Sequence, residues 1–162
     1  MQIQSHNTAD VDQQLVIAGW QEHYQQMSAG YFQGKVVHLQ LNGIEVFEEQ
    51  MNTRIEQHFH APAASLVFSF DTQNGSLYLL NEETQNTWIT PENYKEVSVV
   101  IGPRYLKQLE NLSNLDGLFL TPLVSQQSRI FGRWLSTTLQ QLAVDDSPLP
   151  DESLAQQLLD DC

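Results

Sequence analysis

The stretch Gln26–Asn52, QMSAGYFQGKVVHLQLNGIEVFEEQMN, decides the fold. Val37, Leu39 and Leu41 alternate with His38 and Gln40. After Asn42-Gly43, Ile44, Val46 and Glu48 share one face, and Glu45, Phe47 and Glu49 the other. Period-2 alternation on both sides of a dipeptide that tolerates positive φ predicts a tight β-hairpin. Gly30, Gly34 and Gly43 supply places where the chain can turn, bulge or approach another backbone closely.

The same periodicity continues outward. In TRIEQHFHAP, Ile55, Gln57 and Phe59 oppose Arg54, Glu56, His58 and His60, and Pro62 ends the run. SLVFSFD sets Leu66, Phe68 and Phe70 on one face, TQNGS is a turn, and LYLLN and NTWIT follow. EVSVVIG closes the region with Val97, Val99 and Ile101 alternating. About seven or eight short strands with turn signals every 8–12 residues or so predict a β-barrel or jelly roll. Upstream, residues 1–25 are Gln-rich and polar, and read as an N-terminal arm that packs on the body through Trp20 and Tyr24.

After Gly102 the period changes to 3.6. PRYLKQLENLSNLDG is helical or mixed. Phe131, Trp134, Leu135, Thr138, Leu139 and Leu142 then form one helical stripe. Thr121-Pro122 suits its start, so a helix is expected near 122–144. SPLP breaks the chain, and DESLAQQLLDD, with Leu154, Ala155, Leu158 and Leu159 on one face, forms a second helix near 151–161. The two are expected to lie antiparallel as a hairpin. The second ends at Cys162 without a glycine cap or basic last turn, so a longer natural chain is expected.

Composition narrows the function. The 162 residues suit one domain with one core. Seven Lys and Arg against twenty Asp and Glu give a net charge of −13, which opposes binding to phosphate backbones and to anionic membrane surfaces. No apolar run approaches a membrane span and the N-terminus has no signal-peptide pattern. One cysteine, Cys162, fits a reducing cytoplasm. There is no phosphate-binding loop and no dinucleotide fingerprint.

Met27-Ser28, Gly30, Phe32, Gly34, Leu39, Leu41, Gly43-Ile44, Glu49 and Asn52, with Ile55 and Gln57 further on, follow a pattern that resembles the N-terminal domains of AraC/XylS-family transcriptional regulators. VSVVIGPRYL resembles the strand and loop that end the barrel in that family. The resemblance covers most of the β part and, more loosely, the helices. It implies a mainly β chain with C-terminal helices: a cupin-like β-barrel over 26–104 for effector binding and a helical dimerisation region over 105–162. It also implies a C-terminal DNA-binding part with helix-turn-helix units, absent from these residues. The resemblance therefore implies a cytoplasmic, non-enzymatic regulatory domain. It forms a homodimer, has no membrane contact, and reaches DNA only through the missing part.

Two sets of site residues follow. Arg54, Glu56, His58 and His60 share a strand face, which is either solvated or a polar lining that hydrogen-bonds a small effector; Tyr78 and Trp88 are the aromatic candidates beside them, or else core. Phe131, Trp134, Leu135, Leu139 and Leu142 are the candidate dimer interface, or else cover the barrel. His58-Phe59-His60 puts two imidazoles on one side of a strand, the pair that a small metal-dependent cupin enzyme would use. The glutamate and later histidine of that pattern are missing, so no metal, no cofactor and no catalytic residue is expected.

Overall fold

The computed structural model describes residues 2–15, 17, 19–109, 115, 117–144 and 151–161. The chain is mainly β, with nine strands among the described residues: β1 (Gln2–Thr8), β2 (Gln21–Gln26), β3 (Gly34–Leu41), β4 (Ile44–Met51), β5 (Ile55–His60), β6 (Leu66–Asp71), β7 (Ser76–Asn81), β8 (Gln85–Thr90) and β9 (Tyr94–Ile101). Three helices follow: α1 (Pro103–Leu109), α2 (Gln126–Val144) and α3 (Asp151–Asp161). None of the described helices is long and apolar enough to cross a membrane.

The strands form two antiparallel sheets, one of six strands in the order β1-β3-β4-β9-β6-β7 and one of three in the order β2-β5-β8. No strand of one pairs with a strand of the other, so the sheets do not close into a single barrel. The expected hairpin is present: Leu41 faces Ile44 across Asn42-Gly43, and Gly43 has φ +92. Strand β9 lies between that hairpin and the β6–β7 hairpin, with Ile101 opposite both Ile44 and Leu66.

Within the expected N-terminal arm, β1 and most of β2 are strands built into the sheets. Strand β1 pairs with β3 from Gln2↔Gln40 to Thr8↔Gly34, and β2 pairs with β5 from Gln21↔His60 to Gln26↔Ile55. Both are edge strands, held by backbone ladders that need no apolar alternation. The two expected anchors do pack inward: Tyr24 is buried, and Trp20 meets Phe47 edge-on at 5.8 Å.

Both faces of the large sheet are apolar. Val37, Leu39, Val46, Phe68, Phe70, Val97 and Val99 pack against Leu135, Leu139 and Leu142 of α2 and Leu154, Ala155, Leu158 and Leu159 of α3. Val36, Phe47, Val67, Leu80 and Val100 point the other way, towards Phe59 of the small sheet and the half-buried Trp20, Tyr78 and Trp88. The molecule is therefore layered: helices, large sheet, small sheet. The stripe on α2 is consumed by the protein's own core. Leu135, Leu139 and Leu142 are 2%, 1% and 7% exposed and cannot centre a dimer interface; only Phe131 and Trp134 of that set stay half-exposed, stacked at 6.2 Å.

Helix α2 begins later than Thr121-Pro122 suggests. Leu123 and Leu77 exchange both backbone hydrogen bonds at 2.9 Å, and Leu120 N–H donates to Leu79 O, so this segment lines the β7 edge. Ser125 then caps the helix, its hydroxyl accepting from Ser128 N–H at 3.0 Å while Ser128 Oγ accepts from Ser125 N–H. The SPLP link and Cys162 lie outside the described residues.

Candidate functional site

Alternation along β2, β4 and β9 sends three glutamates into the space between the sheets. Glu49 follows Phe47 on the inner face of β4, Glu96 lies directly opposite it on β9, and Glu22 enters from β2. Glu49 and Glu96 are 1% and 7% exposed. Two buried phenols and an amide meet them. The Tyr24 hydroxyl donates to Glu49 Oε2 at 3.3 Å, Gln57 Nε2 to the same oxygen at 3.4 Å, and the Tyr94 hydroxyl to Glu96 Oε2 at 2.8 Å.

These bonds do not satisfy the cluster. Glu22 Oε2, Glu49 Oε1, Trp20 Nε1 and Ser98 Oγ are buried without a hydrogen-bond partner among the described residues. Unpaired buried polar atoms are costly and uncommon in folded proteins.

Burial is the largest influence on all three acids. It pushes Glu22 up to about 8, with the nearby Tyr24 hydroxyl opposing the rise and the charge of Glu96 adding to it. It pushes Glu96 up to about 7 against the Tyr94 hydrogen bond, helped by the charge of Asp71. Glu49 is also raised, by burial and then by the charges of Glu22 and Glu96. In all three, burial favours the protonated form over the carboxylate.

The surroundings are aromatic. Phe59 lies 4.7 Å from Trp88, Trp88 lies 5.1 Å from Tyr78, and Trp20 lies 6.4 Å from Phe59. Trp20, Glu22, Gln57, Trp88 and Glu96 enclose a small cavity of about 10 Å³, enough for one water-sized guest. Trp20, on the cavity wall, follows a turn in which its backbone N–H donates to Ile17 O at 3.4 Å.

Of the residues expected from sequence, Trp88 borders this cavity and Tyr78 packs on Trp88. Arg54, Glu56, His58 and His60 do not reach it. Arg54 precedes β5, and the other three project from its outer face, opposite to buried Ile55, Gln57 and Phe59. His58 Nε2 meets Glu56 Oε1 at 2.8 Å, its Nδ1 accepts from Thr87 Oγ1 at 2.8 Å, and His60 Nε2 meets Glu82 O at 3.0 Å. Both nitrogens of His58 are therefore engaged. Among the described residues no group of three or more His, Cys, Asp and Glu side chains is placed to hold a metal ion.

Sequence reading missed Glu22, Glu49 and Glu96. The available signal was an acid flanked at i±2 by residues bound for the core: Phe47-x-Glu49-x-Met51 and Tyr94-x-Glu96.

A different glutamate shows what full compensation looks like. Glu48 faces the helices and is 1% exposed. Burial alone would raise it, but bonds from Ser136, Lys95, Gln50 and Gln140 outweigh burial and hold it below its ordinary value. Set beside Glu48, Glu22 and Glu49 are under-partnered. Compared with protein-family models, with curated proteins and with solved structures, the chain shows no match to any of them.

Proposed function

We propose that the chain is the effector-sensing and dimerisation domain of a cytoplasmic transcriptional regulator of the AraC/XylS type, not itself DNA-binding. In this reading the two sheets are a cupin-like β unit and α2 with α3 form a helical pair. The effector is a small molecule carrying a protonated amine, received between the sheets. The observation that supports it is the buried pair Glu49 and Glu96 with half-buried Glu22 beside them among aromatic rings, two carboxylate oxygens and an indole N–H being unpartnered among the described residues. A cation there would gain charge-assisted bonds to the carboxylates and ring-face contacts with Trp20 and Trp88. The net charge of −13 concentrates cations around the protein and repels DNA. Dimerisation, on this reading, uses the half-exposed Phe131–Trp134 patch, since the leucines of that stripe are buried.

The test is differential scanning fluorimetry at pH 7.5 with a panel of small amines, matched neutral sugars and carboxylates. Saturation at about 100 times Kd adds about 2.7 kcal/mol, or roughly 5–10 °C for a chain of this size. Stabilisation by amines alone, lost in Glu22→Gln and Glu96→Gln, is expected. A panel without any stabilising amine, or amine stabilisation that survives both substitutions, refutes the ligand assignment. For the regulatory role, fusion to a helix-turn-helix reader should make a reporter respond to the same amine; a reporter indifferent to a ligand that binds would refute it.

A further inference from the structure

Three of the seven Lys and Arg residues in this acidic chain, Lys95, Arg129 and Arg133, border one groove of about 510 Å³ between the β6–β7 turn and α2. That volume is in the range of small-molecule sites. At its floor the Phe70 ring lies against Gly132, so closely that a Cβ on residue 132 would collide with it. Helix α2 is thus seated directly on the sheet beside the groove.

Arg129 is positioned by the turn. Gly75 has φ +75, and a Cβ there would lie 2.8 Å from Arg129 Nε, so the guanidinium side chain crosses the turn where only glycine leaves room. Arg133 follows one helical turn later on the same face. Like charges at this spacing destabilise a helix unless something negative joins them. Neither arginine has a carboxylate partner among the described residues.

The nearby acids are already committed. Glu48 is held by Lys95 at 2.9 Å and by Ser136 and Gln140. Asp71 Oδ1 accepts from the backbone N–H groups of Gln73 and Asn74. The groove is therefore a local positive site on a negative molecule.

We propose that this groove binds a compact dianion, the phosphate or the paired carboxylates of a small metabolite, through the guanidinium forks of Arg129 and Arg133. The fork matches either group in bidentate geometry. Asn74 and Thr137 line the same groove and add neutral polar groups. An extended polyanion such as DNA would meet the field of the other charges, whereas a compact ion inside the groove sees mainly the arginines at the Debye length of physiological salt. The site is separate from the glutamate cluster and does not depend on it. Occupancy would fasten α2 to the β6–β7 turn.

Isothermal titration at constant ionic strength, with sodium chloride making up the difference, tests this with inorganic phosphate, glycerol 3-phosphate and succinate. Saturable binding of at least one is expected, weakened about tenfold or more by Arg129→Gln and by Arg133→Gln and unchanged by Arg104→Gln. Binding of the phosphates alone identifies a phosphate ligand, and binding of succinate alone a dicarboxylate. No saturation below about 10 mM by any of the three overturns the proposal, as does binding that survives in the folded Arg129→Gln/Arg133→Gln double variant. Both arginines are exposed, so circular dichroism of the double variant should match that of the wild type.

Discussion

Replacing Glu96 by glutamine should make the protein more stable at pH 8 and leave it nearly unchanged at pH 5. Glu96 rises from 4.5 to about 7 in the native state. Between those values the folded protein keeps a proton that the unfolded chain has released. Stability therefore falls as pH rises through this window and levels off above it. Each pKa unit is worth about 1.4 kcal/mol, so the loss attached to Glu96 is on the order of 3 kcal/mol by pH 8. Glutamine keeps the shape and can still accept from the Tyr94 hydroxyl, but never ionises. It also removes a charge that raises Glu22, so the remaining slope becomes shallower. Urea unfolding at pH 5, 6, 7 and 8 by tryptophan fluorescence measures this, since Trp20 and Trp88 flank the cluster. The variant should gain roughly 1–3 kcal/mol over wild type at pH 8 and differ by less than about 1 kcal/mol at pH 5. A wild type whose stability is flat or rising from pH 5 to 8, or a variant with the same slope, would refute the reasoning.

Leu139→Ala should cost about 2–5 kcal/mol in urea unfolding, because it opens a cavity between α2 and the large sheet. Phe131→Ser with Trp134→Ser should leave the circular dichroism spectrum intact and render any dimer monomeric by sedimentation; a persistent dimer would place the interface elsewhere. Gly132→Ala gains about 1 kcal/mol of helix propensity but meets the Phe70 ring, for a net loss of roughly 1–3 kcal/mol by thermal unfolding. Lys95→Met takes away the cation of Glu48 and should cost about 1–2 kcal/mol near pH 7. Because Glu48 is lowered in the native state, that difference should shrink as pH falls below 4.5, which a pH series of urea midpoints would show.

The hairpin around Asn42-Gly43 was legible because turn chemistry and alternation agree over that stretch. Strands β1 and β2 were not, since their sequences, QIQSHNT and QEHYQQ, hold few apolar residues and their place is set by the ladders of β3 and β5. Of the two roles open to the α2 stripe, covering the β part or centring a dimer, Leu135, Leu139 and Leu142 take the first. Val36-Val37 and Val99-Val100 show the large sheet to be apolar on both faces, and a sheet with two apolar faces requires a second cover. The helices supply it. The histidines stand out by chemical type, yet the charged groups with unmet bonding are Glu22 and Glu49. Which acid turns inward depends on which sheet covers its strand, and that is a tertiary fact.

The place of β9 governs how the molecule can assemble. Strands β3 and β4, and likewise β6 and β7, are neighbours in the chain and can zip locally. Neither hairpin touches the other within the sheet until β9 slots between them. Joining them is therefore a late, non-local event with a large loop-closure cost, and such topologies fold slowly. During synthesis the two hairpins must wait, with their inner edges unpaired, until residue 101 has emerged. Shielding those edges in the interval, by a chaperone or by transient self-pairing, becomes a kinetic demand that the finished fold no longer displays.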